Sequence, residues 1–149
     1  MTAVITRCGT PCTEAALERI AAELAPELVP GDNILLTGPL GSGKSVFARA
    51  LLRKLGVEGA IPSPSFIVDA VYVSNNLVIH HIDLYRLSGY PEELEMYGVT
   101  EALDGECLAV VEWADRLPAG TAGVLVELRF TEDQFKRSVH VEDRPLAGN

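Results

Sequence analysis

GPLGSGKS, residues 38–45, decides how the rest of the chain is read. It has the form G-x-x-x-x-G-K-[S/T]. Gly38, Gly41 and Gly43 let the backbone curl until its N–H groups point inward at an anion. A helix starting straight after the loop adds its dipole and its free N–H groups. In such a loop Lys44 reaches the β- and γ-phosphates of a nucleotide, and the Ser45 hydroxyl is placed for Mg²⁺. The competing reading is a glycine-rich turn that matches by chance, so the flanking residues must decide.

They favour the phosphate loop. NILLT, residues 33–37, is short, apolar and bounded by turn formers, which predicts a buried strand. After the loop, VFARALLRKLG places Val46, Phe47, Ala50, Leu51 and Leu55 on one helical face, with Gly56 as the stop. Upstream, Thr10-Pro11 reads as a helix start, and Ala16, Leu17, Ile20, Ala21 and Leu24 fall at helical spacing. Downstream, FIVDAVYV (66–73) and LVIHHIDLY (77–85) form a predicted hairpin. PEELE (91–95) opens a helix, and Thr100 is expected to cap a further short turn. CLAVVEW (107–113) is a second fully apolar strand, and VLVELRF (124–130) and SVHVED (138–143) are late strands. The pattern predicts a single α/β domain over residues 1–149 with a mixed sheet, parallel near the loop and antiparallel elsewhere.

A phosphate loop needs a carboxylate across the groove, at the carboxyl end of a neighbouring strand. Asp83 ends LVIHHID and Glu112 ends CLAVVE. An acid after a run of apolar strand residues is costly unless it sits at the strand's exit. One of the two is expected to bind Mg²⁺ directly, the other to position water or the metal's shell. His81 shares a strand face with Asp83, whereas His80 faces away; packing or support is the expected role. SPSF (63–66) is a rigid, hydroxyl-rich loop, for which a γ-phosphate-sensing role competes with an ordinary proline turn; the turn is the favoured reading. No N-K-x-D segment for guanine is present.

Composition narrows the partners. There are 21 acidic side chains against 12 basic ones, a net charge of −9. Unaided nucleic-acid binding needs clustered Lys and Arg and is disfavoured. No apolar run approaches the ~18 residues of a membrane span. The amino-terminal residues lack signal-peptide shape, so a cytoplasmic protein without a membrane partner is expected. Cys8, Cys12 and Cys107 have no zinc spacing, and Cys107 is expected in the core.

GPLGSGKS, SPSF, HHIDLYRL with PEELEMYG, and VVEW together resemble the TsaE (YjeE) family of bacterial tRNA threonylcarbamoyladenosine biosynthesis ATPases. The resemblance runs over roughly residues 10–143. It implies a P-loop NTPase-like three-layer sandwich with a mixed, partly parallel sheet. It also implies a Mg²⁺-dependent ATPase, weak alone, that supports modification of adenosine 37 by binding and resetting a complex of TsaD and TsaB. Contact with tRNA would then be indirect, through those partners. Carried onto this chain, residues Leu40, Gly41, Ser42, Gly43, Lys44 and Ser45 line the phosphates. Glu112 and Asp83 match the family's metal-associated acids, and Trp113 follows the Glu. Adenine contacts fall near Thr10 to Glu14 and on Arg137. Ser65 stands where the family's Thr is usual, and Pro39 where an acid is common. Two other functions compete: a nucleotide-gated binding module with incidental hydrolysis, and a small-molecule kinase. No arginine is an obvious finger; Arg86 is the nearest by motif.

Overall fold

A computed structural model describes residues 4–7, 13–130 and 137–144. Its centre is a seven-stranded sheet in the order β1-β7-β6-β2-β5-β4-β3. These strands are β1 (Val4–Arg7), β2 (Asn33–Thr37), β3 (Asp69–Ser74), β4 (Leu77–Asp83), β5 (Leu108–Glu112), β6 (Gly123–Phe130) and β7 (Arg137–Arg144). β6, β2, β5 and β4 run parallel to one another. The outer pairs, β4 with β3, β6 with β7 and β7 with β1, are antiparallel. The mixed, partly parallel sheet is therefore as the sequence predicts, and β1 is a strand the pattern did not announce.

Helices cover both faces. α1 (Glu14–Leu24) and α2 (Lys44–Lys54) pack on one side, closing a core with Ile34, Leu36, Phe47, Leu51 and Val110. α3 (Pro91–Met96) and α4 (Val99–Ala102) lie on the other, with Leu35, Ile82, Leu94, Val99 and Val111. Consecutive residues of β2 and β5 thus enter opposite cores, and all five residues of β5 are buried. That is why these strands read as unbroken apolar runs rather than alternating ones.

Local chemistry sets the ends. α1 is capped by Thr13, whose Oγ1 accepts the Ala16 N–H at 3.2 Å. The cap is thus Thr13 and not Thr10, which lies outside the described residues. α4 follows left-handed Gly98, so Thr100 lies inside the turn and does not cap it. The hairpin loop is Asn75-Asn76, with φ of 50° and 65°, the geometry of a two-residue primed turn. β3 begins at Asp69 rather than 66, because Val68 has φ 70° and its N–H bonds back to the Pro64 carbonyl at 2.7 Å. Cys107 is a free, half-buried thiol at the mouth of β5 rather than a core residue.

Candidate functional site

The register of the parallel strands places their carboxyl ends side by side. Leu36 pairs with Glu112, and Glu112 with Asp83. The loop at 38–43 leaves β2 at that same edge and enters α2 through Gly43, the left-handed N-cap with φ 105°. A cavity of about 430 Å³ opens there. Its walls include Leu40, Gly41, Gly43, Lys44 and Ser45 from the loop and helix start. Ser63 and Ser65, then Asp83 and Tyr85, then Glu112 and Trp113 close the other sides.

The loop is shaped for an anion. Gly38 has φ 147°, and a Cβ on it would sit 2.5 Å from the Leu128 carbonyl oxygen. The Ser42 N–H is spent on the Pro39 carbonyl at 3.1 Å, inside the turn. The N–H groups of Gly41, Gly43, Lys44 and Ser45 find no acceptor among the described residues. Four free donors around one hollow are a nest for an anion.

Lys44 is 5% exposed. Its ammonium donates to the Gly38 carbonyl at 2.7 Å and the Pro39 carbonyl at 2.8 Å. It also stands 4.0 Å above the Trp113 ring. Burial lowers its pKa from the usual lysine value of 10.5, against the opposing pull of Glu112, Asp115 and Asp83. A cation so desolvated gains much from a phosphate placed within reach.

The two carboxylates divide the surroundings. Glu112, 1% exposed, accepts from Ser45 Oγ at Oε1, 2.7 Å away. Its Oε2 meets His81 Nε2 at 2.7 Å. Asp83 Oδ2 accepts from Ser65 at 2.8 Å and from Ser63 at 3.3 Å. Asp83 Oδ1 accepts the Tyr85 N–H at 2.9 Å. Glu112 therefore serves the phosphate loop, and Asp83 ties down the 63–65 segment. The reading of SPSF as an ordinary proline turn is corrected here, since both of its serine hydroxyls point at the site's acid.

Of the residues named from the sequence, Leu40, Gly41, Gly43, Lys44, Ser45, Asp83 and Glu112 line this cavity, while Gly38 and Ser42 belong to the same loop without lining it. Thr10 lies outside the described residues, and of Arg137 only the β7 backbone is described, paired with Phe130. Arg86 stacks 4.9 Å over the Phe66 ring and does not line the cavity. Sequence reasoning gave Tyr85 no role and ranked the two serines of the hydroxyl-rich 63–66 loop as turn residues. The hydroxyls of 63 and 65 stand two residues apart ahead of an acid-ended strand, which was the available signal.

Hard oxygen donors at Ser45, Glu112 and Asp83 fit Mg²⁺ held jointly with phosphate oxygens and water. No cluster of three or more His, Cys, Asp or Glu that could hold a metal ion is present among the described residues.

A glycine-cornered loop between a buried parallel strand and a helix, faced by acids from the neighbouring strand ends, defines a P-loop NTPase-like protein. The crystal structure of YdiB from Bacillus subtilis has the same fold: TM-score 0.70, 23% identity, 97% of this chain and 87% of that one covered. The profile of the family described as threonylcarbamoyl adenosine biosynthesis protein TsaE matches residues 12–139, and the chain belongs to that family. It is 40% identical over 126 residues to the tRNA threonylcarbamoyladenosine biosynthesis protein TsaE of Rickettsia felis, covering 83% of this chain and 72% of the relative. Against the same-named protein of Rickettsia conorii it is 39% identical over 104 residues, covering 69% of this chain and 58% of the relative's length.

Proposed function

We propose that this chain is a Mg²⁺-dependent ATPase that supports formation of N6-threonylcarbamoyladenosine at position 37 of tRNA, acting by binding and resetting a TsaD–TsaB complex. One observation carries the catalytic part. The Ser45 hydroxyl, at the exit of the phosphate loop, sits 2.7 Å from a buried carboxylate on the adjacent strand. A chance glycine turn has no reason to aim its next hydroxyl at an acid.

The chain's own groups divide the work. The four free N–H groups of the loop take phosphate oxygens. Lys44 exchanges the Gly38 and Pro39 carbonyls for the terminal phosphates, where its charge offsets that of the leaving group. Ser45, Glu112 and Asp83 would hold Mg²⁺, which when bound would supply charge neutralisation for the phosphates. Glu112 orients the proton-bearing ligands on the Ser45 side. Asp83 holds Ser63 and Ser65 against the site, where the segment can report whether a γ-phosphate is present.

Two features support dependence on partners. None of the described residues lining the cavity is an arginine, and a positive group supplied by a partner would fill the role that speeds phosphoryl transfer in many such enzymes. Leu40, which lines the cavity, and Phe66 and Ile67, which follow the lining residue Ser65, are 74%, 84% and 66% exposed. Apolar side chains on a rim are a surface for another protein. The net charge of −9 fits contact with tRNA through such a partner rather than directly. No helix among the described residues is long and apolar enough to cross a membrane; a cytoplasmic setting is part of the proposal.

Glu112→Ala tests the catalytic part. It is expected to lose Mg²⁺-dependent turnover while keeping part of the nucleotide affinity; wild-type rates would remove Glu112 from the mechanism. Co-purification with TsaD and TsaB, with and without ATP, tests the partnership. A cavity lining without an arginine among the described residues also favours a second reading, a nucleotide-gated binding module. Repeated rounds of tRNA modification with a non-hydrolysable analogue would select it over the ATPase.

A further inference from the structure

We infer that His81 is the positioning residue for Glu112, holding one carboxylate oxygen so that only the other faces the phosphate loop. The inference rests on Glu112 serving that loop, as proposed above.

His81 is 1% exposed, on the β4 face that carries Ile79 and Asp83. Its register partner on β5 is Val110, two residues before Glu112 and on the same face. The surrounding core, with Ile79, Val110 and Phe47, is apolar. An apolar side chain would suit such a slot better if stability alone were selected.

The imidazole instead leaves a polar atom orphaned. Nδ1 is buried and has no hydrogen-bond partner among the described residues. A buried group without a partner costs free energy and calls for a compensating role. Among the described residues the ring's one polar contact is Nε2 to Glu112 Oε2, at 2.7 Å. A carboxylate only accepts, so Nε2 carries a proton, and the ring is committed to that one bond.

The consequence is directional. Glu112 has two oxygens, and Ser45 occupies Oε1. If Ser45 offers its oxygen lone pair to a bound cation, its proton stays hydrogen-bonded to Oε1, so Oε1 faces the loop while Oε2 stays on the histidine. The carboxylate cannot rotate to offer both oxygens. His81 thus sets a one-oxygen approach of Glu112 to the cation, much as an outer partner orients a metal-ligating carboxylate.

Three variants separate this from packing. His81→Gln puts an amide N–H within reach of the place Nε2 vacates. His81→Asn puts one near Nδ1, short of Glu112. His81→Leu offers none. The readout is calorimetric ATP affinity against Mg²⁺ concentration, together with ¹⁵N spectra of the histidine ring in the nucleotide-free, metal-free protein. Leu and Asn are expected to raise the Mg²⁺ requirement about 10-fold or more, with affinity in the absence of Mg²⁺ unchanged, and Gln to restore it to within about 3-fold. The wild-type ring is expected to carry its proton on Nε2. Equal behaviour of Gln, Asn and Leu, at wild-type level or equally impaired, would overturn the inference, as would a ring with Nε2 unprotonated. Glu112→Gln provides the control. If it leaves the Mg²⁺ dependence intact, the reading of Glu112 itself fails. If it weakens that dependence and His81→Leu does not, only the role of His81 fails.

Discussion

Replacing Lys44 by Met separates the two things a buried lysine can do, hold the loop together or hold a phosphate. Without nucleotide, the substitution removes hydrogen bonds to the Gly38 and Pro39 carbonyls and keeps the stem. It also removes the cost of an ammonium that is 5% exposed and whose pKa is lowered by burial. The two effects oppose each other, so nucleotide-free stability should change by no more than about 1 kcal/mol. With nucleotide the balance differs. An ammonium that reaches two phosphates makes two charge-assisted hydrogen bonds, and at the lower value for each their loss is about 3 kcal/mol, roughly 100-fold in affinity. At a ligand concentration of about 100 Kd the wild type gains about 2.7 kcal/mol. For a chain of this size that is a rise of about 5–11 °C in Tm. At the same concentration the variant sits near its own Kd and gains about 0.4 kcal/mol, or about 1–2 °C. Calorimetric melting with and without ATP and Mg²⁺ reads all four states. A variant with the full wild-type shift would show that no phosphate meets Lys44. A fall of more than about 3 kcal/mol without nucleotide would show instead that the lysine is a strut of the loop.

Three further outcomes follow from the same geometry. Trp113 is the one tryptophan of the chain, and the Lys44 ammonium lies 4.0 Å over it, so ATP with Mg²⁺ should change its fluorescence as the cation leaves the ring. The signal should be absent in Lys44→Met; an unchanged wild-type spectrum would mean that the ammonium never moves. Ser65→Ala removes a 2.8 Å bond to Asp83 and should cost about 1 kcal/mol in urea unfolding, with slower turnover, whereas Ser65→Thr should restore both. Asn76, at φ 65° in the hairpin, should tolerate Gly with no loss of stability, while Val there should cost about 1–2 kcal/mol by the same denaturation assay.

Much of the site was legible because the residues that build it are also those whose chemistry is hardest to place elsewhere. Glu112 ends a run of four buried apolar residues, and only a strand exit makes that acid affordable. The loop glycines and NILLT announced themselves by spacing. What stayed hidden depends on contacts distant in the chain. Ser63 and Ser65 look like a proline turn until β4 brings Asp83 to them across about 20 residues. His81 reads as packing until β5 is laid beside it. β1 was missed for a related reason: VITR is too short to show a period, and β7 supplies its pairing from the other end of the sequence. The helix start was misplaced because two threonines with similar credentials, 10 and 13, compete, and a capping hydrogen bond rather than residue type separates them.

The backbone at the two acids shows how neighbouring residues can serve one cavity. On an extended strand, residues 112 and 113 would point to opposite faces. Yet Glu112 and Trp113 line the same cavity. The difference lies in Trp113, whose φ of 58° turns the chain at once into the Ala114–Arg116 3₁₀ turn. The kink folds the indole back, 4.0 Å beneath the Lys44 ammonium and 5.1 Å from the Tyr85 ring. A glycine would adopt that φ without strain but would supply no ring. Val68 does the corresponding service for Asp83. Its left-handed φ of 70° lets its carbonyl accept the Asp83 N–H at 2.8 Å while its N–H reaches Pro64. The 64–68 segment is thereby fastened to Asp83 through the backbone as well as through Ser63 and Ser65. Each such residue costs about 1–2 kcal/mol in backbone strain. Both stand next to the acids of the cavity, where that cost brings a side chain or a loop to a place regular strand geometry would deny it.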